Sequence, residues 1–214
     1  YSSGLLHPGT SFAWIDLLWA IPFSLLGAAG GVLFVSLQKW LAQWKVPIQQ
    51  KPILAGVTSG LLLGGTSLFL PQVLFSGQHA LQTTYNSALQ LGFWSLFLIA
   101  MTRILFTNLL LVSGWKGGQF LPIMFAGACL GMAFASITPS ASFAVSAFAA
   151  MAGLLAVVLP KPILSALVMI PLFPLQYAGV ILVSVLVTIM VQKAFKKIFS
   201  SEPSLGQQKR SAAE

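Results

Sequence analysis

Acidic side chains are nearly missing from this sequence. Asp16, Glu202 and Glu214 are the three present, against eleven lysines and arginines. So few carboxylates leave no material for a paired acid–base site or a carboxylate-rich metal site. Cysteine is reduced to Cys129, which excludes an internal disulfide and fits a small packing residue in an apolar helix. The two histidines, His7 and His79, have no metal-ligand partner at useful spacing. No Ser/His/Asp set and no phosphate-binding loop occurs, so neither an enzyme nor a bound metal or cofactor is expected. Charge of both signs together reaches only 7%, against roughly 25% in a soluble domain. Fourteen charged side chains (eleven basic and three acidic) cannot cover the surface of a 214-residue soluble fold.

What is present is apolar. Hydrophobic residues make up 57% of the chain, and the mean hydropathy is +0.90. A transmembrane β-barrel would alternate in polarity at every second residue. Here the apolar runs are continuous, so the expected fold class is an all-α membrane protein. The net charge of +8 is gathered in two places: Lys39, Lys45 and Lys51, and then Lys193, Lys196, Lys197, Lys209 and Arg210. By the positive-inside rule both regions are expected in the cytoplasm, with the chain multi-pass in a cell membrane. No basic patch is interleaved with base-reading polar residues, so nucleic acid is not an expected partner; the lipid bilayer is. No basic n-region or cleavage site marks a signal peptide. The opening at Tyr1 without a methionine reads as a fragment or as a trimmed or naturally truncated chain.

The expected organisation is a loop at 1–11, a membrane domain at 12–199 and a polar tail at 200–214. Spans are expected at Phe12–Leu37, Ile53–Leu70, Leu91–Val112, Phe120–Ile137, Ala141–Leu159 and Tyr177–Phe195. A short helix is expected near Pro162–Leu172, and a loop with a short helix within Pro71–Gln90. Several spans fall short of the roughly 20 residues of a simple crossing, the pattern of broken helices that line an ion path.

The most informative break is Gly117-Gly118-Gln119-Phe120-Leu121-Pro122. Two glycines free the backbone, and a proline suits the first turn of the apolar helix that follows. Its N-terminal N–H groups and dipole favour something negative, and within a membrane that points to an anion. The same residues also fit a plain loop. Gly127 and Gly131 would allow close packing behind the break, and Gly27, Gly30 and Gly31 form a second small stripe. Arg103 is the one charge well inside a span. It is expected to snorkel or to bond a helix C-terminus, with attraction of anions as the alternative role. Lys116 either attracts anions or marks an aqueous boundary.

The run Gly114-Trp115-Lys116-Gly117-Gly118-Gln119-Phe120-Leu121-Pro122, continuing into Gly127-Ala128, resembles the G-x-F-x-P motif of the CLC chloride channel and chloride/proton antiporter family. The helix order from about Phe12 to Lys197 is similar too, including a Pro71-x-x-x-x-Ser76-Gly77 loop and a basic residue at Arg103. The resemblance implies the second half of an inverted-repeat helical bundle. It also implies a homodimer through the helices at 163–172 and 177–195, with one pathway per subunit for a small inorganic anion, chloride first. Backbone N–H groups of Gln119 and Phe120 would hold the anion; Gly117, Gly118 and Pro122 would support them, and Lys116 and Arg103 would add attraction. The family's G-x-E-G-P segment and serine-containing loop do not occur here, so a missing N-terminal half is an expected partner. The tail carries no anion-binding tyrosine, and Tyr177 does not match that position. A non-transporting relative and a fluoride-selective one remain alternatives.

Overall fold

In a computed structural model, residues 16–43, 52–68, 78–115 and 118–200 are described. They form eight α-helices: α1 (Asp16–Ala42), α2 (Pro52–Ser67), α3 (Gln78–Asn86), α4 (Ala88–Val112), α5 (Phe120–Ser136), α6 (Phe143–Val158), α7 (Ile163–Met169) and α8 (Ala178–Ser200). A 3-10 turn at Leu175–Tyr177 leads into α8, and no strand occurs among the described residues. The all-α expectation holds. Lys45, Lys51, the Pro71–Gly77 loop and residues 201–214 lie outside the described residues.

Length sorts the helices into two kinds. α1, α4 and the stretch Leu175–Ala194 are long and apolar enough to cross a bilayer. α5 and α6, at 17 and 16 residues, reach about 25 Å at 1.5 Å per residue, short of a hydrocarbon core of about 30 Å. They are apolar on every side, which is the pattern of a helix surrounded by protein. Every residue from Ala144 to Ala156 of α6 is buried. α6 is the hub: α1, α5 and α8 all pack on it, and α4 covers the far side of α5.

Glycine lets these backbones approach. A Cβ on Gly27 of α1 would overlap the Ala150 carbonyl of α6, and one on Gly153 of α6 would overlap the Ser24 carbonyl of α1. From α5, a Cβ on Gly127 would lie 2.8 Å from Met151 Cα, and one on Gly131 would overlap the Ser146 carbonyl. The two small-residue stripes read in the sequence, one on α1 and one on α5, are therefore real packing surfaces, and both pack on α6. At its C-terminal end Gln192 Nε2 of α8 donates to the Ala156 carbonyl at 3.3 Å.

Boundaries move by a few residues. α1 runs past Leu37 to Ala42, with Lys39 in the last turn, where a cation complements the helix dipole. α8 continues past Phe195 to Ser200. α4 contains a kink at Gly92, whose φ of 67° and ψ of 179° belong to a region essentially restricted to glycine. Gly92→Ala is expected to lower stability by about 1–3 kcal/mol, read as a lower melting temperature in detergent. A methyl there meets no atom of the described residues within 4 Å, so backbone strain sets the expected cost. An unchanged melting temperature would contradict it.

Candidate functional site

The C-terminus of α4 and the N-terminus of α5 meet in one place, and local hydrogen bonding fixes how. Gly114 takes φ 88°, the left-handed conformation that ends a helix. Its N–H donates to the Leu111 carbonyl at 3.3 Å, and the Trp115 N–H donates to the Leu110 carbonyl at 3.0 Å. This pair of bonds is the Schellman arrangement, which brings the residue after the glycine against the last turn of the helix. Trp115 and Leu110 accordingly share one wall of a partly open cleft of about 130 Å³. Thr107 and Leu111 of α4 continue that wall, and Gly118, Gln119 and Pro122 form the other.

Phe120 is the first residue of α5, with Gln119 as N-cap and no side chain capping the terminus. Pro122 has no N–H to offer, and the Ile123 N–H donates to the Gln119 carbonyl at 3.2 Å. The N–H groups of Phe120 and Leu121 therefore have no acceptor within the helix. Together with the dipole they give this end of the cleft a partial positive charge of roughly half a unit.

Arg103 lies one helical turn before Thr107, on the same stripe of α4. Its expected snorkelling is overturned, for it is only 2% exposed. The guanidinium carbon stands 4.0 Å from the ring centre of Phe125, itself buried on α5 one turn beyond Leu121. A cation over an aromatic face is attracted by the ring quadrupole, which holds the group between the helices and away from the membrane surface. Asn108 is fully buried, and its Nδ2 donates to the Ile104 carbonyl at 2.9 Å.

The sequence-predicted residues Gly118, Gln119, Phe120 and Pro122 are thus gathered at one helix start, with Arg103 one layer deeper. Lys116 and Gly117 lie outside the described residues. Thr107 and Trp115 were not anticipated. The signal for Trp115 was available: Ser113-Gly114 after an apolar run marks a helix end, and the next residue folds back. Thr107 carried no comparable mark.

An uncapped helix start beside a cleft between membrane helices agrees with the match to a known family. Residues 3–193 match the family model described as voltage gated chloride channel. The chain belongs to the voltage-gated chloride channel family. No curated protein matches the sequence. As a member of the voltage-gated chloride channel family, it is a membrane protein of an anion-transporting group.

Proposed function

We propose that this chain forms one wall of a pathway for a small inorganic anion, chloride first, with the anion held at the start of α5. The observation that carries the reading is the uncapped α5 N-terminus opening on the Thr107–Trp115 cleft. The N–H groups of Gln119 and Phe120 are the proposed donors, and Gly118 and Pro122 shape the turn that aims them. Chloride needs no cofactor there: a preorganised helix end replaces part of its hydration shell. The remaining donors would come from the first half of the inverted repeat. The homodimer reading is supported by apolar stripes on two helices, Ile163 and Leu167 on α7 and Leu182, Leu186 and Met190 on α8, all of them exposed.

Arg103 adds fixed positive potential beneath the site. Phe125 lies five residues beyond Phe120, about 7.5 Å along α5 at 1.5 Å per residue, so the guanidinium over its ring stands roughly 8 Å from the donors. At an effective dielectric near 20, a unit charge at that distance is worth about 2 kcal/mol to an anion. Arg103→Met keeps an apolar, flexible side chain and is expected to weaken chloride binding roughly tenfold or more. Arg103→Lys should retain most of it. Calorimetric chloride titration of the protein in its natural full length tests this, beside melting curves that report folding. Wild-type affinity in a folded Arg103→Met protein would remove Arg103 from the site. Chloride efflux from liposomes, measured with and without a pH gradient, tests the pathway itself; no efflux under either condition would overturn the reading.

A further inference from the structure

Trp115 belongs to two neighbourhoods at once. One side of it lines the cleft with Leu110, Gln119 and Pro122. The other side rests on α2, where a Cβ on Gly60 would stand 3.6 Å from indole Cζ2 and one on Gly56 would stand 3.9 Å from the indole nitrogen. Its backbone is pinned by the bond to the Leu110 carbonyl and by the left-handed Gly114. The side chain is only half buried, at 49% exposure. The ring therefore sits in a slot whose back wall is bare glycine backbone. At 3.6 Å the fit is ordinary van der Waals contact, so anything much larger than a methyl at position 60 must push the ring toward the cleft.

We propose that Trp115 sets the width of the anion cleft and so selects among anions by size, with Gly60 as the residue that positions it. The proposal rests on the reading of the cleft as an anion site. The walls around the indole are apolar: Leu110, Leu111 and Pro122 cannot replace lost hydration. Bulky, weakly hydrated anions lose least on entering such a space, so width is what excludes them. A bulky ring at position 115 narrows the cleft toward small halides. Glycine at position 60 keeps the ring from closing it.

The test is competition between chloride and thiocyanate, in binding and in liposome flux, using the protein in its natural full length. Because the readout is a ratio within one sample, it does not depend on how much protein has folded. Trp115→Ala is expected to raise the thiocyanate-to-chloride ratio on the order of tenfold, the scale on which apolar pockets discriminate by size. Trp115→Phe should raise it less, and Gly60→Leu should lower it. If Trp115→Ala does not fold, the opposite shifts of Trp115→Phe and Gly60→Leu decide the matter. An unchanged ratio in variants that still carry chloride overturns the role of Trp115 and leaves the anion site standing. If the wild-type protein binds neither anion, the site reading fails first and this proposal falls with it.

Discussion

Gly27→Val is expected to remove most of the folded protein, with a loss of at least about 3 kcal/mol. The reason is the neighbour that the new side chain meets. A Cβ at position 27 would overlap the Ala150 carbonyl and stand 2.7 Å from Ala150 Cα, all of it α6 backbone. Backbone yields only if the helix moves, and the same residue of α6 is also packed on α5. A Cβ on Gly131 would stand 2.9 Å from Ala150 Cβ, and one on Gly127 would stand 3.2 Å from the Ala150 carbonyl oxygen. Ala150 is thus held between glycines of α1 and α5, and displacing it disturbs both contacts. Gly30→Ala, three residues along, provides the contrast. Its Cβ meets Leu130 Cδ2 at 3.0 Å and Leu154 Cδ1 at 3.3 Å, the far ends of side chains that can rotate. That variant should lose no more than about 1 kcal/mol. Detergent-extracted protein assayed by size exclusion and thermal melting would separate the two. Equal melting temperatures would show that the α1–α6 contact is looser than its geometry implies.

The same comparison marks how far the sequence could be read. Gly27, Gly30 and Gly31 looked like a packing stripe, as did Gly127 and Gly131, and each proved to be one. Their shared partner was not legible, because α6 advertises itself only as a run of alanines around Gly153. Gly56, Gly60 and Gly64 of α2 have the same four-residue spacing, yet among the described residues Gly56 and Gly60 meet only Trp115 and a Cβ on Gly64 meets no atom within 4 Å. Spacing states which residues share a helix face; it does not state which face finds a partner. The snorkelling half of the Arg103 expectation failed for a related reason. An arginine inside an apolar span invites the snorkelling expectation, and only the placement of Phe125 on the next helix reveals a seat that keeps it buried.

The cleft proposed to hold the anion was legible in outline because helix ends are local. Gly118, Gln119 and Pro122 lie within five residues of one another, and Pro122 at the third position of α5 is compatible with the first turn whatever surrounds it. The opposing wall was harder to read. Thr107 lies twelve residues before Gln119, on another helix, and reaches the cleft only because the Gly114 turn folds the chain back. In such a site the donors can be read from the sequence, while the width between the walls is a tertiary property.

Replacing the Phe120 N–H with an ester oxygen, by incorporating the α-hydroxy acid at position 120, is expected to weaken anion binding about 10- to 100-fold. The change leaves every side chain in place, deletes one donor, and makes the Gln119 carbonyl a weaker acceptor for the Ile123 N–H. Because Phe120 is the first residue of α5, that donor has no acceptor within the helix. Its loss therefore costs the helix little, whereas a hydrogen bond to a charged group is worth about 1.5–3 kcal/mol to the bound anion. The ester at position 123 is the informative counterpart. Ile123 N–H already donates to the Gln119 carbonyl at 3.2 Å, so deleting it should lower the melting temperature and leave anion affinity near that of the unmodified protein. Both esters loosen the Ile123–Gln119 bond and cost some stability, so affinity is what separates them, and only the ester at position 120 should move it. Equal chloride affinity for the position-120 ester and the all-amide protein would show that the start of α5 does not hold the anion, whatever flux the full-length protein supports.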